Sequence, residues 1–411
     1  MPDVIRSAAA AADADARDPF AAVRTRFALP DGLVYLDGNS LGALPVGARD
    51  AVRRAVDDEW GTGLISSWGP TGAGNDAGAT VGSSGWWALP TELGDRIGTL
   101  IGAAAGQTIC GDSTSIQLFQ TMIAAARLVP GRKTLVIDAV NFPTDTYIAE
   151  SVARLLGLTL ARVDPHELVP DDDTAVVAYS QVDFRTGELY DVAAITEAVH
   201  RAGGITLWDL CHSAGALEIG VDALDVDFAV GCSYKYLNGG PGAPAWAYVA
   251  HRHHAKLDAP ITGWHGHRDP FSLAKSYEPA SGVARLRIGT PPVLGMQALR
   301  GALDVWDGVS LREVRVKSLA LTDMVIAYAD DELAELGVEV VTPRAHDRRG
   351  SQVSLRVPDA YAVMRELVHR RVVGDFRAPD LLRLGLTPLT LGYAETYAAL
   401  RTIKQTILDL R

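Results

Sequence analysis

The chain has 411 residues, 48% hydrophobic and 21% charged, a globular composition that excludes large-scale disorder. With 38 Lys+Arg against 50 Asp+Glu the formal charge is −12, so no general attraction to nucleic acid or to an anionic membrane is expected. Three cysteines, Cys110, Cys211 and Cys232, are too few for a disulfide framework.

In chain order, the first twenty residues carry four Asp and lack the apolar core of a signal peptide. No apolar run reaches the roughly 18 residues that span a bilayer, so a reduced, cytoplasmic protein is expected. Residues 69–85 (GPTGAGNDAGATVGSSG) read as a Gly/Ala/Ser/Thr loop. GDSTSIQLFQTMIAAARL follows, with Ser113, Thr114 and Ser115 at the start of an apolar-periodic helix. KTLVIDA (133–139), TAVVAYS (174–180), ITLWDL (205–210), FAVGCSY (228–234) and APAWAYVA (243–250) are short continuous apolar runs. They suit strands of a parallel sheet buried on both faces. Between them, 144–157 and 191–204 have helical apolar spacing and end in Gly. This alternation predicts a doubly wound α/β domain. Beyond residue 295 the pattern changes to long amphipathic helices (298–309, 314–337), three strand-like runs (337–343, 352–357, 381–389) and a closing helix (395–410). That mixture predicts a smaller α+β domain.

Ligands of open α/β sheets sit outside the carboxyl ends of the strands. Those ends deliver Ser180, Asp209 with His212, Tyr234 with Lys235, and Phe142 with Asp145. Of six lysines only Lys235 directly follows a buried-type strand and precedes GGPG. A desolvated amine there has a lowered pKa and suits a Schiff-base lysine. No GxxxxGK[ST] precedes it, which excludes a P-loop. An acid such as Asp209, one strand away, suits the pyridinium nitrogen of pyridoxal phosphate. The helix start at Thr114 and Ser115 offers free N–H groups and hydroxyls to a phosphate. His251, His253 and His254 read as a solvated helix start, and RAHDRRGSQ (344–352) as a solvated loop. No spaced Cys/His set supports a metal.

Together these residues resemble the kynureninases, pyridoxal 5'-phosphate enzymes of the fold type I aminotransferase-like superfamily. The resemblance lies in YLDGNSLGALP (35–45), WGTGLISSW (60–68), NFPTDTYIAE (141–150), WDLCHSAGA (208–216), YKYLNGGPGAPA (234–245), GWHGH (263–267), GTPP (289–292) and LLRLGLTPL (381–389). It implies a large, doubly wound, mostly parallel sheet domain over 60–295 and a small α+β domain over 296–411, which the segment 1–59 joins. It also implies a hydrolase of tryptophan catabolism and NAD biosynthesis that cleaves the Cβ–Cγ bond of L-kynurenine or 3-hydroxy-L-kynurenine.

By the same resemblance Lys235 carries the cofactor, Asp209 pairs with its ring nitrogen and Phe142 stacks on the ring. Thr114, Ser115, Asp145, Ser180, His212 and Tyr234 match cofactor-contacting positions. Lys235, assisted by Tyr234, would shuttle the proton. Trp264 and Thr290 match positions given to the phosphate of a neighbouring subunit, which implies a homodimer. Arg383 would grip the substrate α-carboxylate, with Asn39 and Ser40 close to the substrate.

The chain departs from the family pattern in VDF (182–184, where VNY is usual), in His265, in the longer 69–85 loop, and in having no His between 60 and 110. The loop leads into Trp86 and Trp87 and is expected to select the aromatic end of the substrate. The alternatives are a related enzyme of specialised metabolism acting on a modified substrate, a desulfurase or aminotransferase on the same fold, and a cofactor-binding relic without activity. A desulfurase needs a mobile nucleophilic Cys, and 342–352 contains none.

Overall fold

Seven strands share one sheet, and four of the five apolar runs lie in its parallel part. The computed structural model describes residues 4–69 and 85–411, so the loop expected at 69–85 lies, but for its two ends, outside the described residues. Helices α1 (Ala8–Asp15), α2 (Ala21–Arg24) and α3 (Val46–Arg54) flank the short strand β1 (Val34–Tyr35). Next come α4 (Leu89–Ile101), β2 (Thr108–Cys110), α5 (Thr114–Leu128), β3 (Thr134–Asp138), α6 (Pro143–Leu156) and β4 (Thr159–Val163). Then β5 (Thr174–Ser180), α7 (Val192–Ala202), β6 (Ile205–Asp209), β7 (Phe228–Gly231) and β8 (Trp246–Val249) complete the large sheet. The rest is α8 (Val293–Leu303), α9 (Leu311–Tyr328), β9 (Glu339–Val340), β10 (Gln352–Arg356), α10 (Ala360–His369), β11 (Val372–Val373), β12 (Asp375–Arg377), β13 (Leu381–Gly385) and α11 (Tyr393–Asp409).

The large sheet has the order β2-β8-β7-β6-β5-β3-β4. Alternate residues of each strand enter opposite cores, which is why the runs read as continuously apolar. Val136, Val177, Tyr179 and Trp208 face Leu93 and Ile97 of α4 and Val199 of α7. Leu135, Ile137, Val176, Leu207 and Phe228 face Met122 and Ile123 of α5 and Val152 of α6. Helices α6 and α7 end where Gly157 and Gly203 take positive φ, as the sequence suggested.

The run at 243–250 is corrected: β8 lies antiparallel to β7 and β2. A loop without a crossover helix joins β7 to β8, and only antiparallel neighbours permit that. A second, four-stranded antiparallel sheet, β12-β13-β10-β9, packs on a separate core of Leu321, Val325, Leu355, Leu384 and Ile403. The run at 337–343 contributes only the two residues of β9, and the 298–309 helix begins earlier, at Val293, and ends at Leu303. Strand β1 pairs in parallel with β11, so the N-terminal segment reaches the second core through Leu36.

Two polar segments expected to be solvated are exposed over most of their length, as at His251, Arg252, Arg344, Asp347 and Arg348, but each also serves a buried group. His253 donates its ring to buried Asp227, which His200 and Arg252 also bond. In 344–352, Arg349 is fully buried, donating to Thr322 and pairing with Asp323, and Ser351 and Gln352 are buried beside it. Both segments close the ends of sheets, where a buried carboxylate or hydroxyl needs charged donors.

Candidate active site

The parallel strands end on one edge, and their register decides which side chains meet there. Ser180 pairs with Asp209 across β5 and β6, and Asp209 with Val230 across β6 and β7. The turn after β7 then returns Tyr234 and Lys235 to the same edge. A cavity of about 330 Å³ opens at this point. It is lined by Asn39, Ser40, Thr114, Ser115, Phe142, Asp145, Ser180, Asp209, His212, Tyr234, Lys235 and Arg383, all named by the sequence. Trp264 and Thr290 are not among its lining residues; both are exposed, with Trp264 against Trp87 and Phe271.

The segment around 35–45 is built into the lysine turn. Gly42 N–H donates to the Tyr234 carbonyl at 2.7 Å, and a Cβ on Gly42 would meet the Lys235 carbonyl at 2.3 Å. Only glycine allows this approach. Lys235 Nζ lies 3.0 Å from His212 Nε2. Burial, then the Lys235, Arg383 and Arg377 charges, push the His212 imidazolium well down, so His212 is neutral. Its Nε2 accepts from the ammonium, which puts the ring proton on Nδ1, a buried atom without a protein partner.

The expected lowering of the Lys235 pKa is corrected. Burial does pull the ammonium down, but Cys232, Cys211 and Asp209 outweigh it and the net direction is up. The amine is therefore held charged in this cavity. Tyr234 is pushed well above the usual phenol range by burial and then by the two thiols, which makes it a donor rather than a phenolate. The three cysteines are buried.

Across the cavity Asp209 is fixed by the Cys211 N–H at 2.6 Å. Asp145 is held well above the usual carboxylate range, first by burial and then by the Asp209 charge. Asn141, a residue the sequence reading passed over, donates to Asp145 at 3.0 Å and accepts from Ser180 Oγ at 2.8 Å. Two buried carboxylates thus face one cavity, and a cationic ring N–H directed at Asp209 would relieve them. A protonated pyridine nitrogen is such a group. Thr114 and Ser115 open the fifteen-residue α5 behind the Ser113 cap, where amide groups and hydroxyls suit a phosphate. The donor set fits pyridoxal phosphate.

The remaining wall is cationic. Arg383 is 1% exposed and donates to the Phe184 carbonyl (2.7 Å), Ser40 Oγ (2.6 Å) and Asp375 Oδ2 (2.6 Å). Asn39 is fully buried and donates to Gln352 at 3.0 Å. Arg377 and Phe184 also line the cavity, and the sequence reading assigned neither a role in it. The Phe184 ring meets Phe142 edge-on at 5.3 Å.

Comparison with known proteins gives a consistent result. Residues 314–403 match the family model described as the kynureninase C-terminal domain. The chain is 45% identical to the kynureninase of Deinococcus radiodurans over 399 residues, covering 96% of this chain and 95% of that protein. It is 43% identical to the kynureninase of Burkholderia pseudomallei, covering 98% and 95%. Among solved structures it resembles the apo cysteine desulfurase of Thermococcus onnurineus (TM-score 0.75, 18% identity, 96% and 99% covered). It also resembles a lysine variant of C-DES holding glycine covalently linked to its PLP cofactor (TM-score 0.76, 17% identity, 93% and 98% covered). At such identity these two structures speak for the fold alone.

Proposed function

The chain belongs to the kynureninase family, and we propose on that basis that it hydrolyses the Cβ–Cγ bond of L-kynurenine or 3-hydroxy-L-kynurenine, releasing the anthranilate and L-alanine. The carrying observation is the convergence of Lys235, Asp209 and Arg383 on one cavity within a chain 45% identical to a kynureninase over nearly its full length. Pyridoxal phosphate, when bound, supplies the electron sink for bonds broken at the substrate's Cα and Cβ.

This chain's residues do the rest. Asp209 would hold a proton on the ring nitrogen, and Asp145, its carboxyl held well above the usual range by burial and the Asp209 charge, would add little competing charge. Thr114, Ser115 and Tyr234 would hold the phosphate, and Ser180, neutral His212 and Phe142 would hold the ring. Lys235, whose amine lines the cavity, would take the substrate's Cα proton and return it. Protonated Tyr234 beside it donates and does not act as a base. Arg383 binds the α-carboxylate, with Asn39 and Ser40 beside it.

A homodimer is part of the same reading. Trp264, Phe271 and Leu273 leave apolar surface uncovered, with Leu273 86% exposed, and Thr290 is exposed as well. A second copy would cover this face and receive Trp264 and Thr290 at its phosphate. No helix among the described residues is long and apolar enough to cross a membrane, which is compatible with a cytoplasmic enzyme. The division into 1–59, 60–295 and 296–411 belongs to the proposal as well.

The test is to offer the holoenzyme L-kynurenine, its 3-hydroxy form and L-cysteine. Anthranilate or 3-hydroxyanthranilate with equimolar alanine is expected. Sulfur release from cysteine without aryl product would point instead to a desulfurase.

A further inference from the structure

An α-carboxylate is best held by two donors side by side, and Arg383 alone does not present them. Its Nη1 is tied to the Phe184 carbonyl and its Nη2 to Ser40 and Asp375. What remains is Nε, buried without a partner, and one N–H of Nη1, which do not lie side by side.

A second guanidinium stands beside it. Strand β12 pairs antiparallel with β13, placing Asp375 opposite Arg383, and Arg377 lies two residues on, on the same strand face. Arg377 Nη2 bonds the same Asp375 Oδ2 at 2.7 Å. Its guanidinium lies 6.0 Å from the centre of the Phe184 ring, and its Nε has no partner. The Arg377 side chain is 34% exposed against 1% for Arg383, so it is the member of the pair that meets solvent in the cavity.

Two cations therefore share one carboxylate oxygen. The other nearby acid, Asp37, has its pKa pushed up to about 6, chiefly by burial, so near neutral pH it is largely ionised and, with Asp375, offsets most of the pair's charge. What the pair offers an anionic group is therefore directed donors, the partnerless Nε of each arginine, rather than net charge.

We infer that Arg377 is the second cation of the substrate α-carboxylate site, held in place by Asp375 and the Phe184 ring, with Arg383 as the buried anchor. This rests on the carboxylate role given to Arg383 above. It assigns specificity for α-carboxylates to a pair of arginines rather than to one.

The test is calorimetric binding of L-alanine and L-alaninamide to holoenzyme at fixed pH. Wild type should prefer the acid. R377Q should weaken L-alanine about tenfold or more and leave L-alaninamide within about twofold. R377K keeps the charge but loses the planar fork, so it should lose an intermediate, acid-only amount; it also serves if R377Q does not fold. Equal weakening of both probes, or no change in either, would overturn the inference while leaving Arg383 in its role. A wild type without preference for the acid would overturn the Arg383 assignment and this one together.

Discussion

Lys235 shares the sheet edge with His212, Asp209 and two buried thiols, and the cofactor that enters the cavity would meet this lysine first. Borohydride reduction of the holoenzyme followed by peptide mapping should find the pyridoxyl group on Lys235, and Lys235→Ala should retain little covalent cofactor. An adduct on any of the other five lysines would contradict the assignment. Asp209→Asn keeps the shape and the bond from Cys211 but cannot hold a pyridinium proton. It should lower kcat by about 10²-fold or more, about 2.7 kcal/mol in the barrier, with the pyridoxyl adduct still mapping to Lys235.

Away from the site, Asp138 ends β3 and is 2% exposed, and its pKa is raised to about 6 by burial and then by the charges of Asp183 and Asp164, against the Val140 N–H. A raised acid stabilises the fold fully only below its unfolded value, and that contribution is lost as pH rises through about 6. Asp138→Asn retains the acceptor for the Val140 N–H. It should therefore gain stability relative to wild type between pH 4.5 and pH 8, by roughly 2 kcal/mol. Thermal unfolding at the two pH values checks this; a pH-independent difference would contradict it.

Much of this site could be read from type and position alone: Lys235, Asp209, Asp145 and His212 all stand at or just past strand ends. Arg377, Phe184 and Asn141 escaped because, beside local bonds to Asp375 and Asp145, the contacts that bring them to the site reach far along the chain or use backbone atoms. Arg377 meets the ring of Phe184, and the Phe184 carbonyl binds Arg383. Neither contact leaves a local pattern.

Helices α3 and α8 cross where Gly47 and Gly301 let the backbones touch. A Cβ on Gly301 would lie 2.2 Å from the Gly47 carbonyl. Neither neighbour can rotate away, so Gly301→Ala should destabilise by about 1–3 kcal/mol in thermal unfolding, against a small gain for the same change at an unobstructed helical glycine. The N-terminal segment is fastened to α9 by Lys317, which donates to Asp18 at 2.6 Å and to the Pro388 carbonyl at 2.7 Å, all buried. Lys317→Met strands the Asp18 carboxylate and should cost about 3–5 kcal/mol. The strand and helix types followed from apolar periodicity, since burial on both faces leaves continuous runs. The direction of β8 and the two-residue length of β9 did not, because strand direction and loop-side pairing leave no mark on hydrophobicity.

The chain as a whole bridges two cores: Phe20, Phe27 and Ala43 enter the core that also holds Trp208 and Trp306, while Ala11 and Leu36 enter the one around β10 and β13. The segment from Ala11 to Ala43 thus places Asn39 and Ser40 at the cavity beside Arg383. If two copies share their sites, a Lys235→Ala chain mixed with a Trp264→Ala or Thr290→Ala chain should recover activity. One site of each mixed dimer then carries both defects and the other neither. No recovery, despite proven exchange and severe single defects, would refute donation across an interface.

The cleavage itself is tested by turning over L-kynurenine in oxygen-18 water and weighing both products. Hydrolysis between Cβ and Cγ places one water oxygen in the carboxylate of anthranilate, with an equal amount of alanine whose carboxylate stays unlabelled. An aryl product without the label, or a keto acid in place of alanine, would contradict this reaction for the cavity that Lys235, Asp209 and Arg383 enclose.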